Sequence, residues 1–325
     1  MFLIISMPAY NEAENIRRVL EGLPKDYSGF NRVEFLVVDD GSSDATSTEA
    51  LLGGAIVVRH RTNQGVGNAF QTAVREVLQR SADVLVTIDA DGQFDAGEIP
   101  ALVDQLAQGA DFVTGNRFAS GQKPKNMSWV KYFGNHAMTR LITSVSEVEL
   151  TDVSCGFRAY NRKALLHLNL FGKFTYTQES ILDLAHKGLV LREVPISVRY
   201  FANRKSRVAG NIPQYAYKTS LIIFRTVRDY SPMRFFGAVG LVVFSWGICL
   251  DVVPLGNWLA TGSFTPFKYL GYVGTVMNFF GIMVIALGLV TDMLDRIRLN
   301  QERILYFEKC IYFDRLREEN KARHL

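Results

Sequence analysis

Apolar and polar positions alternate in short blocks along the first two thirds of the chain. Phe2-Leu3-Ile4-Ile5-Ser6 is an apolar run ending at Pro8, a helix-like stretch covers Asn15 to Gly22, and Glu34-Phe35-Leu36-Val37-Val38 runs into Asp39-Asp40-Gly41. The pattern then predicts a strand over Ala55 to Arg59, a helix over Gly67 to Arg80, a strand over Val84 to Ile88, a helix over Glu98 to Gln108 and a strand over Phe112 to Gly115. Such alternation predicts an α/β domain, a mostly parallel sheet with covering helices. Ligands of these sheets bind beyond the carboxyl ends of the strands. Four polar clusters directly follow predicted strands: Pro8 to Glu12, Asp39 to Asp44, Asn63 to Asn68 and Asp89 to Gln93.

The last third reads differently. Phe235 to Leu250 and Tyr269 to Val290 are apolar runs with almost no charge, and the first reaches membrane-crossing length by continuing past Asp251 toward Trp258. Neither run has a polar face, so two transmembrane helices are expected, with Asp251 near the far interface. Arg225, Arg228 and Arg234 before the first run, and Arg296 and Arg298 after the second, place both flanks in the cytoplasm. Met1 to Met7 lacks the basic start of a cleavable signal, so the amino-terminal domain is expected to stay cytoplasmic, at the inner (plasma) membrane. The expected divisions are 1–210 for the α/β domain, 211–234 for juxtamembrane interfacial helices, 235–292 for the spans and 293–325 for a cytoplasmic tail. In that tail Ile297, Ile304, Leu305, Phe307, Ile311 and Leu316 predict an amphipathic helix on a surface or against a partner.

Composition adds two points. The net charge is only +4, but basic residues crowd Arg192 to Arg234, which suits anionic headgroups or a phosphorylated lipid; no nucleic acid is expected as a partner. Cys155, Cys249 and Cys310 are too widely spaced for a disulfide framework or a zinc site, and read as free thiols.

The polar clusters carry the chemistry. Asp89-Ala90-Asp91 ends a strand and offers oxygen ligands to Mg2+ or Mn2+, which would bridge them to a diphosphate; taken alone, the motif reads better as an acidic turn capping the next helix. Asp39-Asp40-Gly41-Ser42-Ser43-Asp44 offers carboxylates to a ribose or base, with Asp44 also a candidate helix cap. Tyr10, Asn11 and Glu12 could grip a nucleobase or start a helix. Asn63-Gln64-Gly65-Val66-Gly67-Asn68 lets backbone amides approach a diphosphate but lacks the dinucleotide-binding glycine spacing, and no Gly-Lys-Ser/Thr phosphate loop is present.

Taken in order, Pro8-Ala9-Tyr10-Asn11-Glu12, Val38 to Asp44, Asn63-Gln64-Gly65 and Asp89-Ala90-Asp91-Gly92-Gln93 resemble the family-2 inverting glycosyltransferases of GT-A fold. Thr151-Asp152-Val153-Ser154-Cys155-Gly156-Phe157-Arg158 resembles the segment of the polyprenyl-phosphate branch, which includes the bactoprenol glucosyltransferases and the dolichyl-phosphate mannose synthases. The resemblance spans about residues 2–292. It implies that Pro8, Tyr10, Glu12, Asp40 and Gly65 bind the nucleotide sugar. It assigns Asp89, Asp91 and Gln93 to metal, diphosphate and sugar, with Asp89 and Asp91 the metal ligands, and sets Asp152 beside Asp91 as a catalytic residue near the anomeric carbon.

Arg117, Lys131 and Asn135 would hold the lipid phosphate. Lys131 and Asn135 are one helical turn apart, and they replace the arginine and serine of the mannose synthases. Arg204-Lys205-Ser206-Arg207 resembles a basic segment reaching donor and acceptor phosphates, with Arg204, Ser206 and Arg207 as binding residues; juxtamembrane basic decoration is its alternative. Gln178-Glu179 resembles a position near sugar or acceptor, or starts a helix.

The expected reaction moves glucose from UDP-glucose to polyprenyl (undecaprenyl) phosphate with inversion. GDP-mannose is the alternative donor, and a processive polysaccharide synthase and a non-catalytic membrane scaffold are the alternatives to this activity. The absence of a Gln-x-x-Arg-Trp motif argues against the synthase. The tail suits a homo-oligomer, with a tetramer among the candidates.

Overall fold

The computed structural model describes residues 1–146, 148–170, 176–200 and 232–323. The strands are β1 (Phe2–Ala9), β2 (Arg32–Asp39), β3 (Ile56–Arg59), β4 (Val84–Thr87), β5 (Phe112–Asn116), β6 (Arg158–Asn161) and β7 (Leu191–Pro195). The helices are α1 (Ile16–Glu21), α2 (Thr46–Leu52), α3 (Val66–Gln79), α4 (Ile99–Ala107), α5 (Trp129–Ser146), α6 (Arg162–His167), α7 (Thr177–His186), α8 (Pro232–Thr261) and α9 (Lys268–Arg323). The chain falls into two compact units, Met1–Lys205 with Leu305–Leu325, and Ser206–Ile304. These junctions differ from the sequence divisions at 210/211 and 292/293, because α9 is one helix that crosses the second of them. The expected juxtamembrane helices lie outside the described residues up to position 231.

The first unit is built on one sheet in the order β3-β2-β1-β4-β6-β5-β7. β1 pairs in parallel with β2 and β4, β2 with β3, and β5 with β7; β6 runs antiparallel between β4 and β5. The expected mostly parallel α/β sheet is therefore present, with one reversed strand that the sequence pattern did not announce. β6 reads Arg-Ala-Tyr-Asn, and its first residue is a fully buried arginine, so polarity hides the strand. Leu3, Ile5, Val37, Val86, Val113, Phe157 and Ala159 form a core on one face of the sheet, packed with Ile16 and Leu20 of α1 and Ile99 and Leu102 of α4.

β1 continues through Pro8, where the sequence predicted its end. Pairing with β4 stops at Ser6↔Thr87, whereas pairing with β2 continues through Pro8↔Val38 to Ala9↔Asp39. Pro8 faces the side already released by β4, so its missing N–H removes no ladder bond.

In the second unit α8 and the first part of α9 pack through small residues. A Cβ on Gly247 would stand 2.8 Å from the carbonyl oxygen of Gly274, and one on Gly281 would stand 2.9 Å from that of Gly240, so only glycine permits this approach. Asn278 Nδ2 donates to Asp251 Oδ2 at 2.7 Å across the pair. Leu241, Trp246, Val252, Phe279 and Ile282 project outward and are exposed, unlike side chains of buried soluble helices. Both helices are long and apolar enough to cross a bilayer.

The end of α9 belongs to the first unit. Lys309 Nζ donates to Leu168 O and Asn169 Oδ1, both at 2.7 Å, Arg162 pairs with Asp314 at 3.1 Å, and Tyr306 lies on the His167 ring. Arg317 donates to Asp83 Oδ1 at 2.6 Å, and the other oxygen of Asp83 accepts the N–H of Phe2 at 2.8 Å.

Candidate active site

The loops after β1, β2 and β3 are laced into one wall. Asn11, in a left-handed conformation (φ 53°), accepts the Ser43 N–H at 2.9 Å, while its own N–H donates to Ser42 Oγ at 2.9 Å. The Glu12 N–H donates to Thr46 Oγ1 at 2.9 Å, and the Glu12 carboxylate accepts from Asn15 Nδ2 at 3.1 Å. Pro8, Tyr10 and Glu12 thus sit together at the end of β1, with Tyr10 38% exposed toward solvent. Asp44, a candidate cap, stands one residue before the N-cap position Ala45 of α2 and accepts from the N–H of Thr46 and of Ala13. Burial works against its charge, but these hydrogen bonds prevail and hold its carboxyl below the ordinary value.

Asp40, which the resemblance sets among the nucleotide-sugar-binding residues, is held by the third loop. It is nearly buried, and its Oδ1 accepts from Gln64 N at 2.9 Å and lies 2.7 Å from His60 Nδ1; its Oδ2 accepts from Gly65 N at 2.8 Å. His60 Nε2 in turn contacts Thr72 Oγ1 at 2.9 Å on α3. Asp40 therefore anchors the third loop to the wall and keeps Gly65 beside it. Gly41, at φ 74°, makes this possible, because a Cβ there would meet the Thr62 carbonyl carbon at 2.5 Å.

Asp89 and Asp91 follow β4. Asp91 Oδ1 accepts the Gln93 N–H at 3.0 Å, and the Asp89 carboxylate rests against Gly156, where a Cβ would stand 2.9 Å from Oδ1. Asp89 and Asp91 are both half-buried and offer an all-oxygen donor set, chemistry that suits a hard divalent cation. No group of three or more His, Cys, Asp or Glu that could hold an ion occurs among the described residues.

Asp152 lies four residues before Gly156 and is fully buried. Arg117 binds it with two prongs, Nε to Oδ2 at 2.6 Å and Nη2 to Oδ1 at 2.8 Å, and Nη1 of the same guanidinium donates to Tyr200 Oη at 3.0 Å. Burial opposes the Arg117 charge, but the hydrogen bonds and attraction from Asp152 outweigh it and hold the guanidinium above its ordinary value. Lys131 points into the same region: burial and then the Arg117 charge lower its ammonium below the ordinary lysine value. Lys131 has no ion-pair partner among the described residues. Asn135 is buried beside it, and neither amide atom of Asn135 has a hydrogen-bond partner. Arg117 is thus bound to Asp152, and Lys131 lies near enough to feel its charge, one helical turn before the buried Asn135. Arg204, Ser206 and Arg207 lie outside the described residues.

Three further residues support this region: Glu193 and His60, which no sequence signal marked, and Arg158, which the sequence showed only as the end of the Thr151–Arg158 segment. Glu193 on β7 accepts the N–H groups of Thr151 and Asp152 at 2.8 and 2.7 Å and also binds Thr151 Oγ1 and Asn116 Nδ2, which fixes the start of the Asp152 loop. Arg158 donates to the carbonyls of Cys155, Val153 and Thr177 and to Ser180 Oγ, tying that loop to α7. His60 holds Asp40. Gln178, from the pair noted in the sequence, donates to Ser154 Oγ at 3.2 Å and so borders the same loop. The Cys155 thiol within the loop is buried and pushed up to about 12, an inert group, and all three cysteines are free.

The same architecture occurs in known proteins. Glucosyl-3-phosphoglycerate synthase from Mycobacterium tuberculosis, crystallised with Mn2+, uridine diphosphate and glucosyl-3-phosphoglycerate, superposes with a TM-score of 0.51 at 21% identity over 70% of this chain and 78% of that one. At that identity the likeness shows the GT-A fold. Glycosyltransferase AglJ of Haloferax volcanii is 26% identical over 94% of this chain and 97% of its own, so the similarity continues into the apolar helices. Polyprenol monophosphomannose synthase of Mycolicibacterium smegmatis is 29% identical, covering 67% of this chain and 85% of its own. A sequence model described as "Glycosyl transferase family 2" matches residues 4–168, a stretch that holds every strand end described above from Pro8 to Arg158. With fold, loop order and acidic strand end agreeing, the chain belongs to glycosyl transferase family 2.

Proposed function

We propose that the protein transfers a hexosyl group from a nucleotide sugar to a polyprenyl phosphate, with inversion at the anomeric carbon. What supports this reading is that Arg117 grips Asp152 with two prongs, with Lys131 close enough to feel the Arg117 charge and a buried Asn135 that has no hydrogen-bond partner among the described residues. Two cations and a buried amide with open hydrogen-bonding capacity fit a phosphate dianion, and the mannose synthase relative takes a polyprenol monophosphate by its name.

The chemistry follows from that arrangement. A phosphate monoester with a second pKa near 6 is already ionised at neutral pH, so its oxygen attacks the anomeric carbon without losing a proton. The new bond forms between that oxygen and the anomeric carbon, and the bond to the nucleoside diphosphate breaks, with its electron pair leaving on the diphosphate. Asp152 has both oxygens occupied by Arg117, and Oδ1 also accepts the Ser154 N–H, which supports an orienting and electrostatic role over that of a base. Arg117 and Lys131 hold the acceptor in line and Asn135 fixes its oxygens. Asp89 and Asp91 would hold Mg2+ or Mn2+, which neutralises charge on the departing diphosphate. On the donor side Pro8, Tyr10 and Glu12 line the nucleoside end, while Asp40 positions the Gly65 loop.

UDP-glucose and GDP-mannose remain the two donors to separate: the fold neighbour is crystallised with uridine diphosphate, and the polyprenol relative is named for mannose. The α8–α9 hairpin would keep the enzyme at the inner membrane with its catalytic unit in the cytoplasm. Purified protein given a panel of labelled nucleotide sugars, polyprenyl phosphate and Mg2+ or Mn2+ should yield one sugar per lipid with one preferred donor. A polymer would point to a synthase, and no product from any donor would reject the transferase reading. Asp91→Asn and chelation should each abolish most of the product, whereas a scaffold would keep its cellular role with either residue at position 91.

A further inference from the structure

The first turns of α5 turn large apolar side chains outward: Trp129, Val130 and Phe133 are 61%, 48% and 63% exposed, while further along Asn135, Met138, Thr139, Ile142 and Ser146 are buried. The apolar face is organised: Trp129 stacks on Phe133 at 5.7 Å, and the Lys123 ammonium lies 5.2 Å from the Trp129 ring centre. From Arg117 to Ser146 the chain carries Arg117, Lys123, Lys125, Lys131 and Arg140, and no Asp or Glu. An exposed indole and phenyl ring with Lys123 over the indole, in a segment free of Asp and Glu, match the headgroup layer of an anionic bilayer, where amphipathic rings settle and basic side chains meet lipid phosphates. No step of the transfer reaction uses Trp129, Val130 or Phe133.

We propose that the Trp129–Val130–Phe133 face of α5, with Lys123 and Lys125, seats the catalytic unit on an anionic membrane surface. Lys131 and Asn135 are on the same helix, so seating its first turns sets Lys131 at the depth where a lipid-borne phosphate lies. The inference deepens the transferase reading by naming the surface from which the acceptor enters, and it rests on that reading only for the acceptor.

The test uses the full chain with Trp246→Phe and Trp258→Phe, which leaves Trp129 as the one tryptophan of the original three. The variant is placed in nanodiscs of phosphatidylglycerol and phosphatidylcholine without polyprenyl phosphate. Lipids brominated near the headgroup should quench Trp129 emission while aqueous acrylamide does not. The quenching should weaken in discs of phosphatidylcholine alone and in Lys123→Gln/Lys125→Gln. Free quenching by acrylamide, protection from both quenchers by a second copy or another protein surface, or lipid quenching that appears only once polyprenyl phosphate is added would each overturn the proposal. Hydrogen exchange of the wild-type chain gives a reading independent of the tryptophan changes: the start of α5 should be slowed in anionic discs relative to neutral ones, and equal rates would count against it. Lost transfer with intact lipid quenching would remove the transferase reading alone, and intact transfer without quenching would remove this one alone.

Discussion

The two walls of the site are built by opposite means. The donor wall is made of backbone: three loops after parallel strands exchange N–H and short side-chain hydrogen bonds, and its charged group, Asp40, is spent on amides of a neighbouring loop. The acceptor wall is made of long side chains from distant elements, with Arg117, Lys131, Glu193 and Arg158 arranged around Asp152. Loops held by short bonds make a rigid, nearly preformed donor cradle. The acceptor wall depends on buried charges balancing one another, so a single lost partner should spread through it.

The comparison breaks first at Asp152. Asp152→Asn leaves the Arg117 guanidinium buried without a carboxylate, and turnover should fall ~10²–10³-fold with a loss of stability of about 3–5 kcal/mol. Donor affinity measured by calorimetry should stay within a few fold; a large donor effect would mean that the walls are not separate. Gly41→Ala tests the other side. The added methyl meets backbone at a positive φ, at a cost of about 1–3 kcal/mol, so donor affinity should drop roughly tenfold while acceptor affinity holds. Glu193→Gln is subtler, since it removes a charged acceptor of two N–H groups, a loss of about 1.5–3 kcal/mol; kcat should fall with little change in donor KM. The smallest effect is a pH dependence. Because Lys131 titrates below the ordinary lysine value, it loses its charge on the alkaline side earlier than a free lysine, and acceptor KM should climb as pH rises through that range. Lys131→Arg should flatten the climb while changing KM at neutral pH by only a few fold.

The walls also differed in how far the sequence disclosed them. Each donor loop follows an apolar strand and is written in Gly, Asp, Ser and Asn, so periodicity located the loops and turn chemistry marked them. What it missed there was direction: nothing in Asp39-Asp40 tells that the second carboxylate turns back onto Gln64 and Gly65. The acceptor wall violates the patterns on which such reading depends. Arg158 is fully buried in a strand, and α5 buries Asn135 and Thr139 while exposing Trp129 and Phe133, so neither β6 nor α5 shows a clean period. Glu193 looks like the polar member of a half-exposed strand. Lys131 and Asn135 emerged only through their one-turn spacing and family resemblance, and only the fold brings Arg117 against Asp152, 35 residues away.

Asp83 joins Phe2 to Arg317, so one carboxylate receives the first strand of the sheet and the last turns of α9. A ribosome releases the second of these partners only after both apolar helices have been made. The start of the sheet's central strands is therefore finished late, after both apolar helices have left the ribosome. A catalytic unit cut away at residue 205 would be spared that wait, and would emerge with Asp83, the His167 ring and the carbonyls of Leu168 and Gln79 facing water in place of their helix.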